Sequence, residues 1–285
     1  MAPNTVSTNL GINDLPEYDN PPVVEVVLSV QFSPLLNTGH LGLMWGRFRD
    51  RFRTLEEKSP LQPMIELFGV KHFQISEHQL RLSFSEIPPT PRCWLINETE
   101  KSLIQVQSDR FIFNWRKPSE HAEYVRFMTL LPYFKKEYER FTDFLSDEGM
   151  LDKLDVNQCE ITYVNHIGLP EKESTHERFR EIMSLFNQGI ESGFLPDPEN
   201  VDLSLRYIIR DEKSDPIGRL HVSIKPQYLK DEQDIYSMNL TVRGKPIGEG
   251  IDGIIDFFKL GRRWIVKGFT ELTSEEMHRL WRRKK

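Results

Sequence analysis

Cysteine is scarce in this chain: among 285 residues only Cys93 and Cys159 occur. Two thiols, both within predicted strands, cannot build the multi-bridge framework of a small secreted domain, so a reducing compartment is expected. Long apolar runs are missing too. None approaches the roughly 18 residues that suggest a membrane span. The N-terminus, MAPNTVSTNLGINDLPEYDN, lacks both the basic start and the apolar centre of a secretory signal. A cytoplasmic protein without a membrane partner is the expectation. The triplets Asn97-Glu98-Thr99 and Asn239-Leu240-Thr241 then read as chance matches to a glycosylation acceptor.

Catalytic and metal motifs are also absent. The eight histidines, at 40, 72, 78, 121, 166, 176, 221 and 278, show neither HxH nor HExxH spacing, so no metal site is expected. There is no GxSxG elbow and no GxxxxGK[ST] phosphate loop. With 43 acidic residues, any chosen pair of catalytic carboxylates is arbitrary. No catalytic residue and no cofactor can be assigned, and a non-enzyme is favoured. Gly248-Glu249-Gly250-Ile251-Asp252-Gly253 does match GxGxxG between a strand and a helix. A dinucleotide fingerprint, however, needs a following parallel strand and an acidic residue about 20 positions on. Here the chain ends in another helix, and Glu249 and Asp252 would oppose a pyrophosphate. A glycine-rich strand-to-helix turn is the expected reading.

What the chain does contain is 38% hydrophobic and 11% aromatic residues, enough for one large core or two smaller ones. Their order tells one structural story twice. Val24, Val26, Leu28, Val30 and Phe32 alternate with Glu25, Ser29 and Gln31, the period of a half-buried strand. Leu41, Trp45, Phe48, Phe52 and Leu55 follow at helical spacing. Strands are predicted at Leu80, Leu82 and Phe84, from Trp94 to Ile96, from Leu103 to Gln107, and at Phe111, Phe113 and Trp115. A helix starting near Pro132 buries Phe134, Tyr138, Phe141 and Leu145 and ends at Gly149.

The second pass opens with Cys159, Ile161, Tyr163, Asn165 and Ile167, then a helix at Phe179, Ile182 and Phe186. Three alternating runs follow: Val201 to Ile209, Leu220 to Ile224, and Tyr236 to Val242. A final helix buries Ile251, Ile254, Ile255, Phe258 and Ile265. Thr273 and Glu276 have capping-box spacing for a short basic helix. The predicted organisation is a mobile N-terminal tail over 1–20, a first β-α-βββ-α half over 21–150 and a second over 156–285. No sequence identity links the halves.

Net charge is -6, which argues mildly against a nucleic-acid coat, because phosphate contacts need local positive charge. Distribution matters more. Arg206, Arg210, Arg219, His221, Lys225 and Arg243 fall on the predicted outward faces of the last three strands, among Ser204, Ser223, Asn239 and Thr241. Together they describe a basic, hydroxyl-rich surface for a macromolecular partner. The plainer reading is a solvated face. The C-terminal Arg279, Arg282, Arg283, Lys284 and Lys285 form a second basic cluster. Trp94, Phe111, Phe113 and Trp115 have the chemistry to stack bases, but the shared face of the last three favours burial.

PPVVEVVLSVQF from Pro21, LIQVQSDRFIFNWRK from Leu103, ITYVNHI from Ile161 and FTELTSEEMHRLW from Phe269 resemble a sporadically distributed family of uncharacterised prokaryotic proteins, across almost the whole chain. The resemblance implies a prokaryotic cytoplasmic setting, with a patchy distribution that suggests mobile elements or defence islands. It implies no activity, cofactor or catalytic residue. The element order is also similar to the TATA-binding-protein-like saddle, with an open sheet, and to the helix-grip fold, with a cavity.

The expectation is therefore an α+β protein with antiparallel sheets in two pseudo-repeated halves. Its expected function is non-catalytic binding of a macromolecule, protein favoured over nucleic acid, through an exposed sheet face. The alternative is a ligand-binding or enzymatic protein with a cavity between sheet and long helices.

Overall fold

In the computed structural model, residues 15–69, 89–119, 122–168, 178–184, 198–229 and 234–285 are described. Strand β1 (Val23–Phe32) puts Val26, Leu28, Val30 and Phe32 on one face, each no more than 1% exposed. Val24 leaves that stripe, because a register shift against the neighbouring strand places Val23 in the core instead. Helix α1 (Thr38–Phe48) starts at Asn37, whose side chain accepts from the His40 amide at 3.0 Å, while His40 Nδ1 accepts from the Asn37 amide. It stops sooner than its spacing suggests. Leu55 lies instead in β2 (Thr54–Lys58), where pairing with β3 (Arg92–Ile96) overrides the local pattern.

A hairpin of β4 (Ser102–Gln107) and β5 (Arg110–Arg116) follows β3. Helix α2 (Phe127–Asp147) begins five residues before Pro132, so the proline sits inside it. Met128 and Pro132 both face solvent, where water can satisfy the carbonyl that lacks a helical donor. Gly149, at φ 65°, provides the left-handed turn that ends this segment. The remaining elements are β6 (Val156–Ile167), α3 (Phe179–Ile182), β7 (Leu203–Arg210), β8 (Pro216–Tyr228), β9 (Asp234–Gly244), α4 (Gly250–Leu272) and α5 (Glu275–Leu280). Cap geometry at α5 differs by one residue from the expected box. Ser274 accepts from the Met277 amide, whereas Thr273 donates to the Phe269 carbonyl and contacts His278. The strand expected at Leu80, Leu82 and Phe84, and Phe186, lie outside the described residues.

The strands form a nine-stranded antiparallel sheet in the order β2-β3-β4-β5-β1-β6-β9-β8-β7. The fold is α+β, and β1 and β6 meet at its centre. One sheet face is apolar and lies under the helices. Phe111 stacks on Phe141 of α2 at 5.0 Å, and Phe134 of α2 meets Phe258 of α4 edge-on at 5.1 Å. Gly261 lets α4 sit close on β6 and β9: a Cβ there would strike the Ile161 side chain and stand 3.3 Å from Val242.

Residues 15–20 do not belong to a tail. Leu15 and Tyr18 are buried, Tyr18 bridges to Arg283, and its hydroxyl lies 2.8 Å from Thr270 Oγ1. The rest of the expected tail falls outside the described residues.

Candidate functional site

Because successive strand residues point to opposite faces, burying Leu220, Val222 and Ile224 sends Arg219, His221, Ser223 and Lys225 to the face away from the helices. Register adds the neighbours, with Arg206 opposite His221, and Arg243 opposite Arg219. Five of the six predicted residues, Arg206, Arg219, His221, Lys225 and Arg243, therefore share one face. Arg210 follows a register shift and donates to the Ser214 carbonyl at 2.7 Å, closing the β7–β8 hairpin.

The expected open surface needs a correction at its middle. Arg219 and Arg243 are only 7% and 8% exposed. Both lie beneath a strap, residues 61–69, that crosses the polar face. The strap's Glu66 reaches between them: its carboxylate bonds Arg219 and His221, and accepts from Arg243 Nη1 at 3.3 Å. Arg243 also pairs with Glu160, and Arg219 donates to the Leu67 carbonyl at 3.2 Å. Arg206 and Lys225 remain exposed.

Burial alone would raise the Glu66 pKa. The His221 hydrogen bond and the charges of His221, Arg219 and Arg243 outweigh it, holding the carboxyl below its ordinary value.

The strap is bound as an extended peptide would be. Gln107 accepts from the Leu61 amide and donates to the Leu61 carbonyl, both at 2.9 Å. Gln31 accepts from the Met64 amide at 3.0 Å and Gln158 from the Glu66 amide at 2.9 Å. Arg110 bonds Gln31 and donates to the Gln62 carbonyl at 3.1 Å. These clamps stand in one cross-strand row, Gln107 opposite Arg110, Arg110 opposite Gln31, and Gln31 opposite Gln158. Each is nearly inaccessible to water. A buried primary amide needs partners: the strap's main chain supplies them to the three amide oxygens and to Gln107 Nε2, Gln31 Nε2 donates to Asn157, and Gln158 Nε2 has no partner among the described residues.

Sequence reasoning missed this row. Its signal was three glutamines and an arginine at strand positions pointing away from the apolar stripe, together with the prolines at 60 and 63 that keep the intervening chain extended. The strap's outer side leaves Met64, Ile65 and Leu67 about half exposed, at 48%, 52% and 52%.

Farther from the strap the polar face is rich in hydroxyls, with Thr162, Ser223 and Thr241 half-buried. Thr162 and Thr241 bond at 2.8 Å, and Ser204 is exposed. Phe111, Phe113 and Trp115 are core residues. Trp94 lies on the polar face with the cations of Arg116 and Lys58 at 4.7 and 4.8 Å from its ring centroid.

The segment from Gly248 to Gly253 forms the β9–α4 turn. Gly248 and Gly250 have φ of 95° and 60°, and a Cβ on Gly253 would strike the Ile247 and Gly248 carbonyls. Helix α4 leads into α5 and not into a parallel strand. Among the described residues no group of three or more His, Cys, Asp or Glu is placed to hold a metal ion. None of their helices is long and apolar enough to cross a membrane. No protein-family model matches the chain, and no curated protein matches it.

Proposed function

We propose that this chain is a non-catalytic interaction protein that takes an extended, acidic segment of a protein partner across the polar face of its sheet. The strap carries this reading. The face already holds one extended segment by main-chain hydrogen bonds from glutamines and by a carboxylate set among cations, two of the means by which extended peptides are captured. Farther along the same face, Arg206 lies level with Thr162 and Lys225 level with His166, and both are exposed. Lys58 and Arg116, around Trp94 on the same face, are paired with Glu56 and Glu25, which leaves little positive charge for a phosphate backbone, whose affinity grows with the number of neutralised phosphates, so protein is favoured over nucleic acid.

Two further readings belong to the proposal. Outward from the centre, the orders β1, β5, β4, β3 and β6, β9, β8, β7 support a pseudo-duplicated design with halves 21–150 and 156–285, nearer an open saddle than a helix-grip fold. Membership of the sporadic prokaryotic family, with a cytoplasmic setting and a mobile-element or defence context, rests on the resemblant segments.

The test is affinity capture from the native host with the wild-type chain and an Arg206→Glu/Lys225→Glu variant, with nucleic acid extracted from each eluate. Capture should fall at least about tenfold in the variant, with an unchanged melting temperature and a protein eluate. Equal capture by both chains, or an eluate dominated by nucleic acid, overturns the reading.

A further inference from the structure

On the opposite side of the sheet, between the strand ends and the two long helices, lies a cavity of about 330 Å³. That is within the range of small-ligand sites. Its walls come from Pro21 and Val23 at the start of β1, Phe127 of α2, Tyr163 of β6, and Ile265 and Phe269 of α4. Most of this lining is apolar. Its polar lining includes Tyr124, Tyr163, Arg126, Arg262 and Asn165, together with Glu17, which pairs with Lys285.

Tyr124, Tyr163, Arg126 and Arg262 all favour an anion. The hydroxyls of Tyr124 and Tyr163 stand 3.4 Å apart, and Arg262 lines the same cavity. The Arg262 guanidinium lies over the Phe127 ring at 5.4 Å and Arg126 lies 5.7 Å from the Tyr124 ring centroid. Arg126 donates to the Tyr18 carbonyl at 2.8 Å. Among the described residues neither arginine has a carboxylate partner. Burial raises the pKa of both phenols above the ordinary value, so at neutral pH they keep their O–H protons. The cavity thus brings phenol donors and positive charge together with apolar surface.

We propose that this cavity binds a small organic carboxylate with an apolar ring system, its carboxylate held by Arg262 and the two tyrosine hydroxyls. The guanidinium fork matches a carboxylate in two hydrogen bonds. Ring surface then covers Phe127, Ile265 and Phe269. This site is separate from the strap face and does not rest on the protein-binding reading.

The test is calorimetric titration of the full chain with 2-naphthoate, its neutral analogue 2-naphthamide, and inorganic phosphate. Naphthoate should bind, with the amide weaker by at least about tenfold, the scale of losing a charge-assisted hydrogen bond. Arg262→Gln should weaken naphthoate by a similar factor and leave the amide unchanged. Tyr163→Phe removes one hydroxyl while keeping the ring, so it reports on the same contact should the arginine variant fold poorly. Equal binding of acid and amide, no binding of naphthoate, or inorganic phosphate displacing naphthoate at equal concentration each overturns the proposal.

Discussion

Replacing Glu66 by glutamine tests whether the strap is held by charge. Its carboxylate is 5% exposed and lies among Arg219, Arg243 and His221, whose side chains are 9%, 10% and 25% exposed. Removing one member of a buried ion pair typically costs about 3–5 kcal/mol, because the other charge is left without compensation. Two features reduce that figure. Arg243 keeps Glu160 and Arg219 keeps the Leu67 carbonyl. The strap can also lift locally and let water reach both guanidiniums, so the expected loss is about 2–3 kcal/mol.

Amide hydrogen exchange is the most direct assay. Protection at Leu61, Met64 and Glu66 should fall by roughly 30- to 150-fold, the equivalent of that energy, while β1 and β6 amides exchange as before. Acid should reproduce the effect. Because the folded pKa of Glu66 is depressed, its contribution is fully present above the ordinary glutamate value and is lost as pH falls through the folded value. The glutamine variant should lack that acid-dependent loss. Strap protection equal to wild type at neutral pH would refute the account.

His278, 3% exposed and 2.9 Å from Thr273 Oγ1, is depressed chiefly by burial, opposed by Glu275. Its contribution to stability should therefore weaken as pH drops below about 6.5 towards the folded value, measured as a shallower melting-temperature slope in His278→Gln. Gly261→Ala should cost about 1–3 kcal/mol in denaturant unfolding, the range for overpacking, because α4 must move away from Ile161; an unchanged midpoint would refute the close approach. Cys93 and Cys159 are buried, and burial raises both thiol pKa values. A thiol reagent should consequently label neither until denaturant is added.

Strand periodicity carried most of the secondary structure. The alternation from Val26 to Phe32, from Cys159 to Ile167 and along β8 and β9 reports burial on one side, and that is where those residues lie; in β7, at the sheet edge, only Ile209 is buried and Tyr207 is 39% exposed. Helix ends were less legible. The spacing that extends α1 to Leu55 is a local property, whereas the partner that draws Thr54–Lys58 into the sheet sits more than thirty residues away. Pro132 likewise reads as a first-turn residue, yet α2 accepts it inside because that turn faces water.

For the candidate surface, sequence alone determined that Arg206, Arg219, His221, Lys225 and Arg243 share one side, since the two-residue period leaves no other arrangement once their apolar neighbours are buried. Tertiary structure decided which of them meets solvent. Glu66 is 153 residues before Arg219 and 177 before Arg243, and no periodicity links a loop carboxylate to strands that far along the chain. The same holds for the cavity, whose tyrosines and arginines come from segments brought together only by packing α2 and α4 on the sheet. Alternation is dictated by the covalent geometry of each strand. Pairing across such separations follows from the free energy of the whole folded chain.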